Sequence, residues 1–170
     1  MFDKIRSDFK NYNHDIGAQG FWVMLVYRFG RWRYTVKPAL LRKVFSFIYK
    51  LLFKFVQIIT GIELPCETQI GDGFLIDHFG GIIISGYAKF GNNCRIRNGV
   101  VVGLKNVNEP SAPVIGDEVD IGAGAKSLGA IYIGNRVSIG ANAVLICDVP
   151  DDSIAVGVPA VIKPKRPPSE

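Results

Sequence analysis

Histidine is nearly missing from this sequence: 170 residues hold two, His14 and His78. That excludes a metal centre built on three imidazoles, and any histidine base must be one of these two. Cysteine is as scarce, with Cys66, Cys94 and Cys147 at unrelated spacings and no CxxC pair. An odd count without pairing excludes a disulfide framework and a thiolate zinc site, and points to a reducing compartment. No metal is expected. The first twenty residues contain no apolar run long enough for a secretion signal, so the expected location is cytoplasmic. Charged residues make up only 21% against 48% hydrophobic, which excludes disorder. Glycine is frequent, at 19 residues, yet follows no strict triplet.

Charge is divided unevenly along the chain. Residues 1–61 carry eleven Lys/Arg against three Asp, net +8, whereas 62–170 carry nine Lys/Arg against twelve Asp/Glu, net −3. Two parts with different surroundings are implied. No nucleic-acid recognition motif accompanies the basic front. Within it, Phe21–Trp32 reads as a short helix, Pro38 as a break, and Leu40 to about Thr60 as a longer helix. Four cations (Arg42, Lys43, Lys50 and Lys54) make a spanning helix expensive, at about 2.5–3.5 kcal/mol per central charge. Lys43, Lys50 and Lys54 share one face and the other faces are apolar. Two readings of 40–60 stand: packing on the body or a sister subunit, or peripheral contact with anionic lipid at the inner membrane face.

Beyond residue 62 a period of six replaces the helical one. Seven of the apolar residues that recur in this period are followed directly by glycine: Ile70, Phe90, Val102, Ile115, Ile121, Ile133 and Ile139. Six residues fit a short strand plus a corner, three such units close a triangular coil, and stacked coils bury the repeating apolar positions. From Ile70 to about Leu145 this predicts four to five coils of parallel strands. Two interruptions break the period. Two extra residues fall around Asp77–Gly81, and Leu104–Pro113 reads as a loop leaving the coil.

These hexads, with Ile76-Asp77-His78, Pro113–Asp117, Ile121–Gly129, Ile139–Val144 and Gly157–Ala160, resemble the serine acetyltransferases and, more broadly, the hexapeptide-repeat acyltransferases. The resemblance covers about 61–163. It implies a mainly β fold, a left-handed parallel β-helix over 62–162, with a helical N-terminal region at 1–61 and a tail at 163–170. It also implies a homotrimer that binds acetyl-CoA, as co-substrate, in the groove between neighbouring β-helices. His78 falls on the family's general base, and Glu63 lies where an acid pairs with that base. Asp77 is a further catalytic candidate, although an aspartate at a corner also serves backbone donors. Gly103, Ala123 and Ala141 occupy positions that let the donor lie close to the backbone, with Lys126, Lys163 and Lys165 as candidate partners for its polar groups.

One departure shapes the expected acceptor. Serine acetyltransferases carry Arg-His-Pro where this chain reads Ser111-Ala112-Pro113. Neither replacement pairs with an anion. The main expectation is therefore acetyl transfer to a sugar hydroxyl in polysaccharide synthesis, on a small-molecule or lipid-linked acceptor. Serine O-acetylation in cysteine biosynthesis is the alternative within the same chemistry, and a non-catalytic trimeric scaffold is the alternative outside it. A carbonic anhydrase on this coil would need three histidine ligands and is excluded.

Overall fold

In the computed structural model, which describes residues 1–165, three helices lead into a three-sided stack of short strands. The helices are α1 (Phe2–Asn11), α2 (Gln19–Trp32) and α3 (Ala39–Thr60). Pro38 caps the start of α3, and Gly61 ends it in the left-handed conformation (φ 65°), its N–H donating to the Gln57 carbonyl at 2.9 Å. Glycine adopts that conformation without a Cβ penalty, so the helix stops there and the first strand begins. The longer helix starts one residue before its expected boundary, and α1 was not anticipated.

Each face of the coil takes every third strand. The first face stacks Ile62–Glu63, Ile82–Ile84, Val101–Gly103, Lys126–Leu128 and Val144–Leu145, all in parallel. The second stacks Gln69–Ile70, Lys89–Phe90, Val114–Ile115 and Tyr132–Ile133. The third stacks Leu75–Ile76, Arg95–Ile96, Asp120–Ile121, Ser138–Ile139 and Ser153–Val156. A last strand, Val161–Pro164, folds back antiparallel on Ser153–Val156.

The register locates both interruptions. Val114 pairs with Tyr132, a step of 18, which is three hexads. Leu75 pairs with Arg95, a step of 20, so the two extra residues around 77–81 lengthen that turn. Arg95 pairs with Asp120, a step of 25, because Leu104–Pro113 leaves the stack. The hexad positions Ile76, Ile96, Ile121 and Ile139 all point inward and are buried. Side chains from α2 join the same core: Met24 and Tyr27 are buried with Phe74, and the Tyr27 hydroxyl donates to the Thr68 carbonyl at 2.9 Å. The helix thus covers apolar residues that the first coil would otherwise leave to water.

Corners are built by residues with positive φ. Between the third and first faces, Gly81, Gly99, Gly124 and Asn142 stack with φ of 67°, 71°, 71° and 58°. Between the second and third faces stand Gly73, Asn93, Glu118, Arg136 and Asp152. Beside this second column runs a ladder. The Asp72 N–H donates to Asn92, the Asn92 N–H to Asp117, the Asp117 N–H to Asn135 and the Asn135 N–H to Asp151, each onto a side-chain oxygen within 2.9 Å. Asparagine alternates with aspartate, so no two carboxylates are direct neighbours in the ladder.

Candidate active site

The two-residue insertion puts His78 at the edge between the third and first faces. Asp77 is the last outward residue before that edge and Glu63 is the first outward residue beyond it on the first face, since Ile62 and Leu64 both point inward. The Gly61 carbonyl accepts from the Ile82 N–H at 3.2 Å, which brings the start of the first face under the Gly80–Gly81 corner. His78 is exposed, Asp77 and Glu63 half-buried.

Their partners differ. Asp77 Oδ2 stands 3.3 Å from Arg95 Nε and 3.8 Å from Arg97 Nε. Arg97 also grips the Asp120 carboxylate with both terminal nitrogens, and that hydrogen bonding lifts its pKa above the ordinary guanidinium value. Asp77 is therefore a carboxylate fixed by two cations on the outer third face. Glu63 accepts from Gln57 Nε2 at 2.8 Å, and Gln57 in turn accepts from Lys54. Among the described residues no hydrogen bond or ion pair joins Glu63 to His78, nor His78 to any other group. The other histidine, His14, packs edge-on against Phe9 in the helical front, with ring centroids 5.1 Å apart.

The backbone ahead of His78 is clamped from the helices. Tyr12, at the end of α1, accepts from the Ile76 N–H at 2.9 Å, and burial raises its hydroxyl pKa far above the usual value. A Cβ added at Gly20 would lie 2.5 Å from the Ile76 carbonyl oxygen, so α2 can approach this strand only because residue 20 is glycine. A buried ion pair, Arg28 Nε to Asp8 Oδ2 at 2.8 Å, ties α1 to α2. Tyr12, Arg95 and Arg97 were missed from sequence. Arg97 sits 20 residues after Asp77, one lengthened coil away, and counting in eighteens passes over it.

Of the six donor candidates, Ala123 and Ala141 lie on the His78 edge. The Gly99 N–H donates to Gly80, the Gly124 N–H to Asn98 and the Asn142 N–H to Ala123, so residues 80, 98, 123 and 141 form one column. Three steps separate its ends, roughly 14 Å at about 4.8 Å per strand. Gly103 and Lys126 lie on the adjoining first face, where Lys126 Nζ donates to the Gly124 carbonyl at 2.8 Å. The Gly157–Ala160 turn closes the top of that edge, its Gly157 carbonyl accepting from the Val144 N–H at 3.0 Å. Lys163 stands mid-strand on the third face, opposite Ile154. Lys165 is elsewhere: its N–H donates to the Asp152 carbonyl and its ammonium to that of Arg136, at the corner between the second and third faces. The remainder of the tail, 166–170, lies outside the described residues.

No family model matches the chain. It is 41% identical over 128 residues to a serine acetyltransferase of Helicobacter pylori strain J99, covering 75% of each chain. A crystal structure of serine acetyltransferase from Brucella abortus superposes with a TM-score of 0.80 at 28% identity, covering 96% of this chain and 68% of that one. A serine acetyltransferase solved in complex with CoA superposes with a TM-score of 0.78 at 26% identity, over 95% of this chain and 68% of that one.

These relatives overturn the sugar acceptor expected from residues 111–112: the matched proteins are serine acetyltransferases. The structure supplies a physical reason. Ala112 is 8% exposed and belongs to the apolar core, and Pro113 beside it is buried. Its methyl group packs inward, so its identity reports how the loop re-enters the coil and says little about the acceptor.

Proposed function

This chain belongs to the serine acetyltransferase family, and from that premise we propose that it acetylates the side-chain hydroxyl of L-serine. Membership makes it an O-acetyltransferase with acetyl-CoA as donor. The observation that carries the residue assignment is the shared edge: His78 at its base, with Ala123 and Ala141 above it in one column of small residues.

His78 is the general base of this reading. Its free imidazole nitrogen takes the hydroxyl proton as the serine oxygen attacks the thioester carbonyl. The tetrahedral intermediate then expels the thiolate with cleavage of the C–S bond, and the imidazolium returns its proton to that sulfur. Glu63, across the edge and bonded to Gln57 in the chain alone, would orient the imidazole and favour its protonated form on turning to His78. Serine brings a zwitterion, and beside His78 stands an ion pair of opposite polarity. The ammonium would lie against Asp77 and the carboxylate against Arg95, whose side chain is 48% exposed. Arg95 would thus do the anion-binding work for which Ser111 and Ala112 are unsuited.

The wider assembly belongs to the same reading. The coil is a left-handed β-helix over 62–162, with 1–61 as a helical region and 163–170 as a tail. Three copies associate, and acetyl-CoA lies in the groove between neighbours, held by Gly103, Ala123, Lys126, Ala141 and Lys163. What supports a shared site is that His78 is exposed and has no partner among the described residues. The direct test is incubation with acetyl-CoA and L-serine, followed by mass analysis of the amino acid. Formation of O-acetylserine with equimolar free CoA is expected. Tight CoA binding without acetyl transfer to serine would remove the acceptor assignment.

A further inference from the structure

One face of α3 has nothing on it. Ten large apolar side chains of this helix are exposed, among them Leu40 at 76%, Phe47 at 65%, Phe55 at 61% and Ile58 at 75%. Its opposite face carries Tyr49, Phe53, Val56 and Thr60, which pack on the body. At 100° per residue the exposed apolar positions span an arc of about 140° without a polar interruption. Single exposed apolar residues are ordinary, but a continuous patch along 22 residues marks a docking surface.

Charge on the same helix indicates what docks. Lys43, Lys50 and Lys54 fall within about 40° of one another, along one edge of the apolar arc. The helix holds no Asp or Glu, and among the described residues no carboxylate pairs with Arg42, Lys43, Lys50 or Lys54. Two hollows of about 280 Å³ mark this surface. One is cationic, lined by Arg42, Lys43, Ser46, Phe47 and Lys50. The other is apolar, between Trp22 and the Phe55–Ile59 turn. No helix among the described residues is long and apolar enough to cross a membrane.

We propose that α3 lies in the plane of an anionic phospholipid surface. Its apolar arc enters the acyl boundary, and its lysine edge meets headgroup phosphates. A second copy of this chain fits the helix less well. An α3–α3 contact with a neighbouring copy, around a two-fold or the proposed three-fold axis, would offer the lysines no acid, because the helix holds none. On this surface Lys54 alone touches the acetyl-transfer site, through Gln57 to Glu63, so the other cations test the surface separately.

The test is co-sedimentation of the full-length protein with phosphatidylcholine vesicles, with and without phosphatidylglycerol, at low and high salt. Binding to the anionic vesicles at low salt is expected, falling on removal of phosphatidylglycerol or addition of salt. The double variant Lys43→Gln, Lys50→Gln should lower the partition coefficient by about twenty-five-fold, from roughly fivefold per cation. Phe55→Ser should weaken it as well. Serine acetylation in solution by the double variant, which keeps the Lys54–Gln57–Glu63 contacts, should match that of the unaltered protein, which controls for folding. Full recovery in the supernatant under every condition would overturn the proposal. So would a double variant that sediments undiminished. A Phe55→Ser variant whose assembly mass falls in light scattering, in a protein that ignores all vesicles, would instead assign the face to a second copy.

Discussion

Asp77 lies between two guanidiniums, and the side chain that follows it, His78, has no partner among the described residues. That contrast fits the proposed roles: Asp77 held in place for the substrate ammonium, His78 open to the hydroxyl proton. Arg95→Gln removes the exposed cation while leaving Arg97 on Asp77 and Asp120. It should raise KM for L-serine by about tenfold or more with a smaller effect on kcat, measured under saturating acetyl-CoA. An unchanged KM would detach Arg95 from the serine carboxylate. Tyr12→Phe strands the Ile76 N–H and should lower stability by about 1–2 kcal/mol, read from denaturant unfolding. Asp77 and His78 were legible in the sequence because they sit in a motif with a fixed neighbour, Ile76. Arg95 and Arg97 were not, since their contact with Asp77 depends on a turn lengthened by two residues. Glu63 was legible as an acid near the edge, but the hydrogen bond from Gln57 comes from α3, which no coil spacing encodes.

The coil was readable as a repeat because its period is imposed by geometry at every turn. Each hexad must bring an apolar residue inward and a tight corner after it, and the left-handed corners restrict which residues can stand there. Gly99 is one case set against backbone, with φ 71° and an added Cβ only 3.2 Å from the Gly124 Cα. Backbone cannot yield as a side chain does, so Gly99→Ala should destabilise by about 1–3 kcal/mol and lower Tm by several degrees. At the coil's last turn, Arg136 holds the Asp152 carboxyl below its ordinary value of 3.8 through a paired hydrogen bond. A carboxyl depressed by folding stabilises above its unfolded pKa, and that contribution is lost as pH falls through the folded value. Amide protection around residues 136 and 152 should therefore decline on acidification below about pH 4. In Asp152→Asn that step should be absent. The helix α1 went unread, although Ile5, Asp8, Phe9 and Tyr12 recur at helical spacing. Its stability comes from tertiary partners, Arg28 and Ile76, rather than from a marked local pattern.

At the scale of the whole molecule, the basic front and acidic body correspond to two kinds of surface. The front carries an uncovered apolar helix with unpaired lysines, and the body carries an edge of small residues leading to an imidazole. The acceptor was misjudged from sequence because Ser111 and Ala112 were read as facing a ligand, whereas Ala112 packs into the core. A motif position gives residue type and order but not the direction of a side chain re-entering a coil from a loop. The measurement that bears most directly on the account is kcat/KM for L-serine with saturating acetyl-CoA, compared between the unaltered protein and His78→Ala. The account predicts an efficiency of about 10⁴ M⁻¹s⁻¹ or more for the unaltered protein. For the variant it predicts a loss of about 10²–10⁴-fold with CoA affinity retained. A His78→Ala enzyme within a few-fold of the unaltered one, or CoA release indifferent to added serine, would contradict it.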